Sequence, residues 1–316
     1  MIKAPDKKKD FFMKKRMIAF VPLLLLMLLP VIGSRGPGKC TPLLYKVEDG
    51  AGHPLYLFGT IHVGDEQSTP WSKAVEKAYE EADVLAVEID ILDFMQDDAA
   101  MLSYSQALLY PHARDSARQH LSQEAYELGI QMLDEDETLL NRIRPYAWLS
   151  LAQEKSYAMA QMSGDYGADM QLLTRAHAGG KRVDSLESME EQMAMLRNQS
   201  DGFLEFQLVD MLRHPRENAD AIRGLHRAWC NGDEKKLIQL LEAEGKGLPE
   251  QWQAEYAAYA HALYTERDAA FLQDALWYLE SNETVFFAVG AAHIVRPGAV
   301  KDQLIQLGYT VTEIGR

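Results

Sequence analysis

The sequence predicts an α/β fold: a central mixed sheet built from two βαβ-like units, one near each end of the chain, with a large helical insertion at about 103–281. Three observations carry this. An apolar run, an amphipathic stretch and a second apolar run follow one another in LYLFGT, WSKAVEKAYEEA and DVLAVEID. The same order recurs in TVFFAVG, GAVKDQLIQLG and the segment Tyr309 to Ile314. Between them lies a long region rich in Ala, Leu, Met, Gln and Glu, in which helical spacing dominates.

Taken in order, the N-terminal segment holds KKKDFFMKKR and then MIAFVPLLLLMLLPVIG, a positive region followed by an apolar one ending in small residues. Residues 1–34 therefore read as an export signal or a membrane anchor. The apolar run is shorter than the ~20 residues of a spanning helix, and Pro22 and Pro30 weaken it further. Residues 35–42, RGPGKCTP, read as a linker, and 43–316 as a single domain. LLYKVEDGAGHPLYLFGT is a hairpin pattern around Asp49 to Gly52. Thr69 and Pro70 stand where an N-cap and first helical position are expected, ahead of Trp71, Val75, Ala78, Tyr79 and Ala82 at helical spacing. DVLAVEID is a buried strand, expected to lie parallel to LYLFGT through a right-handed crossover. KRVDSL offers a further short strand, and Pro297 is expected to open the last helix.

Composition narrows the function. With 316 residues, 47% hydrophobic and 25% charged, the chain can bury a large core. Its formal charge of -15 opposes nucleic-acid binding, which needs a basic face. Cys40 and Cys230 are the only cysteines, and spacing leaves open a disulfide or two unrelated thiols. The methionines, Met170 and Met193 among them, read as core filling.

The chemistry gathers at two Gly-x-x-His turns, Gly59 to His62 and Gly290 to His293, each ending the first strand of its unit. In open α/β sheets that edge binds ligands. The glycine is expected to let the backbone turn sharply and approach a ligand. Neutral imidazole is a common metal ligand, and Glu88, which interrupts an apolar run at the neighbouring strand end, would be costly to bury without a cation or hydrogen bonds. His62, Glu88 and His293 are thus candidate ligands of one metal ion. Each alone is equally readable as a hydrogen-bonded structural residue. Glu313, the analogous carboxylate of the second unit, reads as a solvated chain end. No H-E-x-x-H, Walker A, G-x-G-x-x-G or G-x-S-x-G sequence is present.

GTIH, VEID, YGADMQLLTRA, SLESMEEQMAML, WCNGD, YTERD and VGAAH, in this order and spacing, resemble the TraB/GumN family, which extends to the Tiki-type proteases of animals. The resemblance implies an erythromycin-esterase-like or ChaN-like fold and a divalent-metal hydrolase, expected to be a peptidase. Manganese or cobalt is the implied ion, with zinc as a further possibility. It assigns the metal to His62, Glu88 and His293, with Gly59 and Gly290 as motif glycines. Asp169, Glu187 and Arg267 match further positions. Glu187 is a candidate proton shuttle or ligand, and Arg267 a partner for Glu187 or a substrate carboxylate. Asp268 stands where the family writes Asn, which weakens the expectation of a polar role there. The expected partner is a peptide or protein substrate, with membrane contact only through the N-terminal segment. A non-catalytic peptide- or pheromone-binding regulator is the rival reading.

Overall fold

The strands that position the site are buried because their neighbours cover both faces. In the computed structural model, which describes residues 40–48 and 53–315, Leu44–Glu48 (β1), Leu55–Thr60 (β2), Val84–Val87 (β3), Arg182–Ser185 (β4), Val285–Gly290 (β5) and Thr310–Glu313 (β6) form one mixed sheet. Its order is β4-β3-β5-β2-β1-β6. Every residue of β2, β3 and β5 is buried, the pattern of parallel strands covered by helices on both sides. Phe58, Phe286 and Phe287 pack there with Trp71, Tyr79 and Trp229. The proposed leader at 1–34 and the hairpin turn at 49–52 lie outside the described residues.

The two units interleave. β5 inserts between β2 and β3 and runs parallel to both, so the two N-terminal strands share a direction without touching. KRVDSL contributes β4, parallel to β3, and the closing strand β6 pairs antiparallel with β1. The register sets Thr60 opposite Gly290 and Val87 opposite Ala288. The ends that carry the sequence motifs are thereby adjacent.

Helix α1, Lys73–Glu81, begins later than the sequence suggests: the Ser72 hydroxyl accepts from Val75 N–H, while Thr69 and Pro70, joined by a cis peptide, lie in the preceding loop. Pro297 likewise sits in a turn ahead of the last helix. In the helical region the elements that reach the site are α2 (Ala168–Gly179), α3 (Met189–Arg197), α4 (Pro215–Cys230), α5 (Glu234–Leu241) and α6 (Arg267–Leu279). α7 (Ala292–Val295) and α8 (Val300–Gln306) follow β5. A second apolar cluster, around Trp148, Phe203 and Leu208, belongs to the helical region alone. Met170, Met189 and Met193 are buried as expected, whereas Met159 is exposed. Among the described residues no helix is long and apolar enough to cross a membrane.

Cys40 and Cys230 form a disulfide across 190 residues of chain, and Thr41 N–H donates to the Cys230 carbonyl at 2.7 Å. The first described residues are thus tied to the end of α4. Closing so long a loop restricts the unfolded chain. Reduction, or serine at both positions, is expected to lower stability by about 2–4 kcal/mol. Thermal unfolding with and without reductant measures this, and coincident midpoints would contradict it.

Candidate active site

β2, β3 and β5 end together, and each is followed within three residues by one polar side chain of the site. His62 follows β2, Glu88 follows β3, and His293 stands on α7 directly after β5. A β-carbon built on Gly290 would stand 3.1 Å from Glu88 Oε1, 3.6 Å from His293 Cδ2 and 3.9 Å from His62 Nε2. The three predicted residues therefore surround one point.

The glycines act differently from the expectation. Both lie within strands at ordinary φ and neither makes the sharp turn. Gly59 admits the backbone of Ala291, whose Cα would be 3.0 Å from an added β-carbon. Gly290 leaves room for the Glu88 carboxylate and donates its N–H to Glu88 Oε1 at 2.7 Å. What these positions require is close approach, not a special backbone angle.

Asp169 reaches His62 through α2. Asp165 belongs to the turn before this helix rather than to the helix itself. Gly167 lets the helix abut the His62 carbonyl, which an added β-carbon would approach to 2.4 Å, and Ala168 N–H donates to the Ile61 carbonyl at 2.8 Å. Asp169, in the first turn, then meets His62 Nδ1 at 2.8 Å, where the positive end of the helix also favours a carboxylate. Burial alone would lower the His62 pKa, but the charge and hydrogen bond of Asp169 push it up to about 9. Asp169 is half-buried, and the loss of water would raise it, but His62 brings it below its usual range.

Around His293 the signs reverse. Arg267 Nη1 lies 2.9 Å from His293 Nε2, and Asp268 Oδ1 lies 2.7 Å from Nδ1. Guanidinium can only donate, so Nε2 must accept, and the ring proton sits on Nδ1 and is donated to Asp268. Burial and the Arg267 charge bring His293 down to about 3, and burial lifts Asp268 to about 7. Their contact is a hydrogen bond from a neutral imidazole, not an ion pair. The neighbours Arg267 and Asp268 grip opposite edges of one ring from the start of α6, where a π-helix, His261–Glu266, runs into it. Wide turns of this kind recur at functional sites. Asp268, whose role the departure from Asn had put in doubt, is a direct partner of the second motif histidine.

Arg267 also binds the carboxylates. Its Nη2 donates to Glu88 Oε2 at 2.7 Å and to Glu187 Oε1, and its Nε to Glu187 Oε2 at 2.9 Å. Glu187 lies beside Glu88 because β4 and β3 keep their pairing past their ends, with Glu187 N–H donating to the Glu88 carbonyl at 3.0 Å. Gln192, on α3 and buried, donates to Glu187 at 2.7 Å and to Glu88 at 3.4 Å. Burial would raise Glu88, but Arg267 holds it below the usual carboxylate range; Glu187 is raised by burial despite the same arginine.

A cavity of about 120 Å³ opens beside this cluster, lined by His62, Glu88, Arg267 and His293. Glu187 lines a separate groove on the other side of Arg267. It holds the arginine from behind.

Both imidazoles back Nδ1 onto a carboxylate, as metal-binding histidines do. In this arrangement, however, His293 Nε2 and both Glu88 oxygens are engaged by Arg267 and Gly290, and the guanidinium is the cation among the donors. Among the described residues no group of three His, Cys, Asp or Glu side chains is placed to hold a metal ion. The residues as they stand do not fit one.

A family model described as the TraB/PrgY/gumN family matches residues 43–313. An uncharacterized protein, YbaP of Escherichia coli K12, is 30% identical over 180 residues, covering 56% of this chain and 64% of its own length. YbaP of Shigella flexneri is 30% identical over 179 residues, with the same coverage. The match thus spans less than two thirds of these relatives. No solved structure matches significantly.

Because folding raises the His62 pKa above its unfolded value of 6.5, the pair with Asp169 contributes stability that is complete below about 6.5 and is lost as pH rises through about 9. Asp169→Asn is expected to return the His62 titration, followed by NMR, to 6.5 or lower and to flatten stability across that window. An unmoved titration would refute the pairing.

Proposed function

The chain belongs to the TraB/PrgY/gumN family, and we propose that it is an exported hydrolase acting on peptide bonds or related acyl groups. The observation that carries this is the meeting, at one cavity, of a motif histidine held protonated and a carboxylate held ionised. Such a pairing assigns acid and base roles.

His62 holds its proton at neutral pH, with Asp169 behind Nδ1, so Nε2–H faces the cavity as a general acid for the leaving group. Glu88, kept ionised by Arg267, orients the attacking water and takes its proton. The Arg267 charge offsets negative charge developing on the acyl oxygen. His293 and Glu187 fix the guanidinium in place, and each is a positioning residue. Export is supported by the N-terminal segment and by the Cys40–Cys230 bridge, which suits an oxidising compartment.

His62→Ala is expected to reduce kcat by roughly 10²- to 10⁴-fold, the usual worth of a general acid. In the parent, turnover should decline as pH rises through about 9, where His62 loses its proton. Quenched-fluorescent peptide libraries measure both. Equal turnover by parent and variant would remove His62 from the mechanism.

A second reading has one observation in its favour, the carboxylate behind each imidazole. A manganese, cobalt or zinc ion held by His62, Glu88 and His293 would supply Lewis-acid activation of water. It requires Arg267 to release His293 and Glu88. Elemental analysis after soaking parent and His62→Ala protein in each ion tests it. This reading expects stoichiometric metal in the parent and none in the variant; equal retention leaves the acid–base reading alone.

A further inference from the structure

The cavity has a second half that the acid–base chemistry does not use. Away from His62 and Arg267 its wall is apolar: Ile222 and Leu225 from α4, Leu237 and Leu241 from α5, and Leu263 from the π-helix. Leu225, Leu241 and Leu263 are only partly buried, so this wall has surface that none of the described residues covers. Gly290, Ala291 and Ala292 line the cavity as well, small residues that leave the backbone open next to the polar cluster. Trp229 is pinned by its indole N–H, which donates to the Gly59 carbonyl at 2.7 Å. Recess and reacting groups therefore share one frame.

Resting on the hydrolase reading above, we propose that this recess is the specificity pocket and takes an uncharged aliphatic side chain of leucine or isoleucine size from a peptide substrate. The open volume of about 120 Å³, on a measure in which a single water needs about 10–15 Å³, has room for a branched side chain together with the scissile group and its attacking water. Its apolar wall favours transfer of hydrocarbon from water. Glu244 lines the cavity as well. Glu244 accepts from the Tyr264 hydroxyl at 2.8 Å, and burial pushes it up to about 7. It is therefore a weaker attraction for a basic side chain than an exposed carboxylate would be.

Binding separates this proposal from the hydrolase reading. N-acetyl-leucinamide, titrated into the full disulfide-bonded protein and followed by NMR of the indole N–H signals, is expected to bind at least about tenfold more tightly than N-acetyl-glycinamide, each buried methylene being worth roughly threefold or more. Leu225→Phe and Leu263→Phe, two separate variants that fill the recess from different elements, should abolish the difference while keeping the parent's unfolding midpoint. Equal affinity for the two amides, or tighter binding of N-acetyl-lysinamide or N-acetyl-glutamate amide, would overturn the assignment. Selective binding without turnover of any peptide would sink the hydrolase reading and leave the pocket standing. Turnover indifferent to the side chain would do the reverse.

Discussion

The contact on which the site depends is the guanidinium of Arg267 between Glu88, Glu187 and His293. Its side chain is 9% exposed, and those of Glu88 and Glu187 are 6% and 9% exposed. Two carboxylates so nearly dry cannot both stay ionised without a cation and further hydrogen bonds. Arg267, Gly290 and Gln192 supply them. Buried ion pairs gain little net stability over apolar packing, yet losing one partner typically costs about 3–5 kcal/mol. What the pair secures is geometry: a planar donor fork fixes two strand ends, and through Nη1 it also fixes the tautomer of His293.

That arrangement follows from the topology. Because β5 enters between β2 and β3, the last part of the chain brings its histidine between the two motif-bearing ends of the first part. The helical region then does more than cover the sheet. It supplies Asp169 from α2, Gln192 from α3, and Arg267 with Asp268 from α6, so most of the polar partners of the strand-end residues come from helices. It also supplies the apolar half of the cavity. The site therefore lies where the strand ends of the sheet core meet the helical region.

The opposed histidines show how strongly burial depends on neighbours. Both rings lose water. His62 has a carboxylate with no arginine in contact and is driven up, whereas His293 faces the guanidinium and is driven down. Neighbouring charge thus yields a proton-loaded imidazole and a neutral one within a single cavity.

His62, Glu88 and His293 were legible in the chain because a titratable residue at the end of an apolar run contradicts its surroundings, and two such runs shared one pattern. The strands themselves were legible for the same reason, since period and apolarity are local. Asp169 was marked only by the family resemblance, and Asp268 and Gln192 were hidden, because each sits in a helix among residues of similar polarity. The role of the motif glycines was misread, since close approach of a distant backbone leaves no mark in the local sequence. By itself, then, the sequence determined which elements form and which polar groups end up at strand tips, because propensity and hydrophobic spacing act over a few residues. Only the tertiary structure decided that β5 lies between β2 and β3, that Arg267 stands among the presumed ligands, and which histidine keeps its proton, because those outcomes depend on charges brought together from opposite ends of the chain.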